Sequence, residues 1–99
     1  MTGSLPETSA TGSVVVRYWA AARAAAGVDA DVVEVGSGTS LAVVLDQVRA
    51  MHPDRPRLPD VVSLCSMLVG DRPVGATDPA EVRVMPGDSI ELLPPFAGG

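Results

Sequence analysis

Lysine is missing altogether from the 99 residues; the seven basic residues are Arg17, Arg23, Arg49, Arg55, Arg57, Arg72 and Arg83. Against twelve Asp and Glu they leave a formal charge of -5, which argues against a surface built to neutralise nucleic-acid phosphates and favours partners with basic surfaces. Cysteine occurs once, at Cys65, so no internal disulfide framework can form, and a reducing compartment fits. Histidine also occurs once, at His52. Aromatics make up 3% of the chain, so a core must be assembled from Val, Leu, Ile, Ala and Met. No apolar run approaches the roughly 18 residues of a membrane span, and Met1 to Ser13 lacks the charged start and apolar stretch of a signal peptide. The expectation is a cytoplasmic protein with no membrane partner.

What is present describes one small domain. The hydrophobic share is 46% and the charged share 19%, a globular balance with room for one core. Residues 1–13 read as a flexible N-terminal tail, 14–93 as the folded domain and 94–99 as an extended C-terminal tail. Val14 to Trp19 is β-branched and aromatic and predicts a strand, with Val14, Val16 and Tyr18 on one face and Val15, Arg17 and Trp19 on the other. The alanine-rich run Ala20–Ala26 predicts a short helix closed by Gly27. Asp31 to Val35 predicts a second strand, punctuated by Gly36, Ser37 and Gly38.

Ser40, or Thr39 beside it, is a helix cap, and Leu41, Val44, Leu45, Val48 and Met51 recur at helical spacing to give the main helix. Pro53, Pro56 and Pro59 predict a loop to Asp60, with one further helical turn before Ser63. Leu64 to Val69 predicts a third strand, Gly70 and Asp71 a turn, and Arg72 to Val74 an edge segment that tolerates proline. Glu81 to Met85 predicts a short strand. Pro86, Gly87 and Asp88 form a turn before the last strand, Ser89 to Leu93, which Pro94 and Pro95 terminate. The order predicts an α+β fold, a mixed sheet of four to five strands with one main helix packed across it and with the first and last strands adjacent at its centre.

Side-chain chemistry has little to draw on. Cys65 and His52 fall in a predicted strand and at a helix end, so they make no nucleophile–base pair; the first reads as a small buried hydrophobe and the second as a helix C-terminal residue facing the last carbonyls. No metal-ligand spacing occurs. The glycines at 36 and 38 lack the lysine and spacing of a phosphate-binding loop, so a strand-to-helix turn is the better reading. The chain end is different. Pro94, Pro95, Phe96, Ala97, Gly98 and Gly99 form a stiff root and a thin tip, and at about 3.3 Å per extended residue they span roughly 20 Å, enough to enter another protein's active site.

Ile90 through Gly99 resembles the C-terminal signature of the ubiquitin-like β-grasp sulfur carriers, a group that includes the thiamine type, and among them most closely the molybdopterin synthase small subunits. Val16 to Arg23 followed by Gly27 is similar to that family's opening, as is the turn at Pro86 to Asp88; the resemblance covers Val14 to Gly99, with 53–63 alike only in layout. It implies a ubiquitin-like β-grasp fold and a chain that is not an enzyme on its own but the sulfur-donating subunit of a sulfurtransferase complex. By the same resemblance, an ATP-dependent enzyme adenylates the Gly99 carboxylate and a sulfur donor converts it to a thiocarboxylate. The tail, threaded through Gly98, then delivers sulfur to a pyranopterin precursor in the large subunit. No stably bound cofactor is implied; ATP belongs to the activating enzyme.

Trp19 and Leu93 face away from the helix side and meet at the root of the tail if the first and last strands pair in parallel. Together with Pro94, Pro95, Phe96 and Ala97 they are the expected partner contacts. Three alternatives remain open: a sulfur carrier for thiazole or cysteine biosynthesis, a ubiquitin-like protein modifier that acylates lysines of other proteins, and a binding domain with an inert tail. The lack of lysine disfavours only chains of the modifier linked to itself.

Overall fold

The computed structural model describes residues 12–95. Its centre is the strand β1 (Ser13–Tyr18), whose alternation buries Val14, Val16 and Tyr18 and leaves Arg17 exposed. The antiparallel β2 (Ala30–Glu34) pairs on one side, with Val15 opposite Val32, and β7 (Ser89–Leu93) pairs in parallel on the other, with Tyr18 opposite Leu92. Beyond β7 lie β4 (Ser66–Val69) and the two-residue β5 (Arg72–Pro73), so the sheet order is β2-β1-β7-β4-β5. The first and last strands thus share the middle of a mixed five-stranded sheet, as the sequence predicts. Pro73 sits on the edge strand, where its missing N–H costs no ladder bond.

The main helix α2 (Leu41–Met51) crosses one face of this sheet. Ser40 caps it by accepting a hydrogen bond from the Val43 N–H at 3.3 Å. Its Leu41, Val44, Leu45 and Val48 are buried with Val14, Val16, Val33, Val69, Ile90 and Leu92 in a core whose only aromatic among the described residues is Tyr18. Each fully buried Leu, Ile or Val contributes about 1.5–3 kcal/mol relative to exposure. Met51 carries the apolar pattern one step too far and is exposed.

Two further helices flank the core. The helix α1 (Ala20–Ala26) ends at Gly27, whose φ of 83° is the left-handed cap conformation that the alanine run followed by glycine predicts. The helix α3 (Leu58–Leu64) is longer than expected: the helical turn before Ser63 extends back into the expected loop to make seven residues, and Pro59 lies in its first turn, where a missing N–H is harmless. That helix consumes Leu64 and ends at Cys65, so the third strand starts two residues later than expected. The segment expected as a strand over 81–85 begins as a 3-10 turn at Pro79–Glu81. Only β6 (Arg83–Val84) is extended there, pairing with β3 (Thr39–Ser40) in a separate ribbon that supports the start of α2. At the other end of the sheet, Gly12 pairs with Val35 and Gly36, extending the β1–β2 pairing one residue ahead of Ser13.

Candidate functional site at the C-terminal exit

The strand β7 is held on both sides, by β1 in parallel and by β4 in antiparallel register, up to Leu93, which lies opposite Ser66. Pro94 is buried and Pro95 exposed, so Pro94 anchors the end of β7 within the body. Phe96, Ala97, Gly98 and Gly99, all expected site residues, lie outside the described residues.

Trp19 marks this exit. Its backbone N–H donates to the Leu92 carbonyl at 3.2 Å, continuing the parallel ladder past Tyr18, and Leu93 follows next along β7. The indole is 45% exposed, and its Nε1–H donates to Glu91 Oε1 at 3.0 Å. Trp19 therefore reaches the root of the tail as expected, but its polar edge is fixed by Glu91, a residue the sequence reading left without a role. The signal was available: Glu91 lies on the same sheet face as Trp19 in the neighbouring strand. Immediately after Trp19, Ala20 takes a φ of 49°, the only non-glycine residue with positive φ among the described residues. Such backbone costs of order 1–3 kcal/mol and tends to occur where a side chain must be held in place; here it turns the chain from β1 into α1 directly behind the indole.

The outward face of the sheet carries a complete row across five strands: Ala30, Arg17, Glu91, Leu68 and Pro73 are successive register partners. Opposite charges sit at its centre and apolar groups at its ends. One row nearer the exit, Leu93 is half-buried beside Ser66. A shallow cleft lined by Arg17, Trp19, Arg23 and Asp29 adjoins the indole. The face is thus amphipathic and suited to a protein partner rather than to a small substrate.

The single histidine and cysteine do not meet. His52 caps α2 with its backbone, but its ring turns to Asp31, Nε2 lying 2.5 Å from Oδ2, instead of facing the helix carbonyls as expected. The Tyr18 hydroxyl donates to the same oxygen at 2.7 Å. Burial, then the hydrogen bond and charge of Asp31, raises the Tyr18 phenol well above its usual range. This network ties β1, β2 and the end of α2 together. Cys65 sits at the end of α3, half-buried, its Sγ–H donating to the Val61 carbonyl at 3.2 Å, and burial pushes its thiol up to about 11. It borders an open groove of about 480 Å³ between β4 and the loop after β5 that contains no acid–base pair. Among the described residues no three His, Cys, Asp or Glu side chains gather as metal ligands. None of the helices described is long and apolar enough to cross a membrane.

The ThiS family model matches residues 16–99, from the second half of β1 to the final glycine. This chain belongs to the ThiS family. A relative from Chlamydomonas reinhardtii, a molybdopterin synthase sulfur carrier subunit, is 30% identical over 86 residues, covering 87% of this chain and 98% of its own. Among solved structures, small archaeal modifier protein 1 from Haloferax volcanii superposes with a TM-score of 0.69 at 23% identity, covering 89% of this chain and 100% of the other. The complex of subunits 1 and 2 of molybdopterin-converting factor from Helicobacter pylori includes a chain with a TM-score of 0.56 at 22% identity, over 88% and 99%. The ubiquitin-like β-grasp fold of the ThiS member described here follows from its own topology and from these likenesses.

Proposed function

We propose that this chain is a sulfur carrier for molybdopterin synthesis, acting as the small subunit of a molybdopterin synthase and delivering sulfur as a thiocarboxylate at Gly99. The observation that carries this reading is the seam of β1 and β7. It sets Trp19 beside the strand from which the tail departs, and the family match continues along that tail to residue 99. The C. reinhardtii relative, named as a sulfur carrier subunit, supports the cargo, and the subunit complex from H. pylori supports a large-subunit partner.

In this reading an ATP-dependent enzyme adenylates the Gly99 carboxylate, and a sulfur donor displaces AMP to leave C(O)S⁻. That sulfur is the better nucleophile and attacks the pyranopterin precursor. The acid–base groups for the attack belong to the large subunit in this reading; the described residues bring no such pair to the exit. Trp19, Leu93 and the exposed root at Pro95 dock against the partner, while Glu91 holds the indole in orientation.

Intact mass after incubation with the cognate activating enzyme, ATP and a sulfur donor tests the reading. The expected product carries sulfur in place of one oxygen on the C-terminal peptide. An unchanged mass would sink the carrier reading, and amide conjugates on lysines of other proteins would establish the modifier reading that the archaeal modifier structure keeps in view.

A further inference from the structure

An activated acyl terminus is indiscriminate. An acyl adenylate at Gly99 would react with a lysine amine by forming a C–N bond and breaking the C–O bond to AMP, which leaves with the electron pair while the amine loses a proton. The resulting amide would remove the chain from sulfur transfer for good. A thiol would form a thioester in the same way. Which nucleophiles the carrier's own surface offers to its terminus is therefore a functional question, and this inference rests on the adenylation step proposed above.

Three features of the chain bear on it independently. First, lysine is absent, and every basic side chain is arginine, whose guanidinium stays protonated and does not acylate. Second, the one thiol lies close to the exit: Cys65 immediately precedes Ser66, the register partner of Leu93 at the root of the tail. Yet Cys65 terminates α3, points its S–H at the Val61 carbonyl and is half-buried, whereas Ser66, one residue on, is exposed. With the thiol near 11, about one molecule in ten thousand is thiolate at neutral pH. Third, the one imidazole, the side chain best able to activate a serine or threonine hydroxyl, is only 13% exposed, its Nε2 turned inward to Asp31.

We infer that the body of this carrier is built to be inert toward its own activated terminus, so that an acyl group formed at Gly99 passes only to a nucleophile supplied by another molecule. Absence of lysine removes side-chain amines, placement of Cys65 at the end of α3 withdraws the nearby thiol, and burial withdraws the only histidine.

The test uses the full chain with a C-terminal thioester, prepared by cleaving an intein fusion with mercaptoethanesulfonate, so that no cognate enzyme is needed. The unaltered chain is compared with R23K/R57K/R72K, which restores amines at exposed positions, and with S66C, which places an accessible thiol one residue from the native one. Urea unfolding confirms that each variant is folded. During incubation at mildly alkaline pH, hydrolysis of the thioester proceeds in all three and serves as an internal clock. Intact mass and denaturing gels read internal thioester, amide and cross-linked products. The expected result is hydrolysis alone for the unaltered chain, amide products at least about tenfold higher for the lysine variant, and rapid internal thioester for S66C. Self-acylation of the unaltered chain at the rate of either variant, through Cys65 or the α-amino group, overturns the inference. So does a pair of variants as inert as the parent. Since the thioester is made chemically, failure here is distinct from failure of the enzymatic sulfur-loading experiment.

Discussion

At the scale of the residue, the exit is organised by Trp19. Its backbone extends the β1–β7 ladder, its indole N–H is taken by Glu91, and much of its ring surface is open. Tryptophan at such a position combines a large apolar area with a fixed polar edge, the combination common at the energetic centres of protein interfaces. Trp19→Glu places a second carboxylate beside Glu91 and removes the apolar surface, while the backbone contacts survive. The expected outcome is at least about a tenfold loss of affinity for the large subunit proposed as partner, measured by titration calorimetry, with cooperative urea unfolding retained. An affinity equal to that of the parent would remove Trp19 from the interface.

At the scale of the element, the strands and helices were legible where periodicity and punctuation agreed. The core face of β1, the span of β7, the cap of α2 at Ser40 and the glycine end of α1 all follow from side-chain pattern and backbone rules that act locally. Only one turn of α3 was legible, because proline is read as a breaker when it falls between elements. The same residue is welcome in a first turn, and only the burial of Leu58 and Val62 against the core decides between the two. Gly27 tests the local rule. Its φ of 83° disfavours a side chain, and a Cβ there would also press on the Arg55 guanidinium, which is exposed and able to swing aside. Gly27→Ala is expected to lower unfolding free energy by about 1–2 kcal/mol in urea, chiefly from the backbone conformation. A neutral result would show that α1 can end another way.

At the scale of the whole molecule, the place of the last strand in the sheet was legible and the contacts around its exit were not. Strand order follows from which segments are most apolar, so the exit beside β1 could be anticipated. The grip of Glu91 on Trp19 and the meeting of Tyr18, Asp31 and His52 depend on three-dimensional register between segments far apart in sequence. Those pairings also shape the pH response. Folding raises Cys65 from 9.0 to about 11, and it raises Tyr18 from 10.0 to still higher values. A group whose pKa is raised on folding lends stability that is complete below its unfolded value and is lost as pH rises through the folded one. Urea midpoints are therefore expected to fall as pH rises above about 9. Cys65→Ala should flatten the profile between 9 and 11 and Tyr18→Phe above 10. Profiles that keep the parent's slope in both variants would assign the alkaline loss to other groups.

The position of β7 between two neighbours has a mechanical meaning. A partner that grips the tail and pulls along it loads the hydrogen bonds to β1 and β4 in shear, many at once, rather than peeling them one by one from an edge. Pro94, buried at the point of departure, passes that load into the body. Under the proposed function, insertion into one enzyme and transfer to another would strain the chain end without unravelling the strand that carries it.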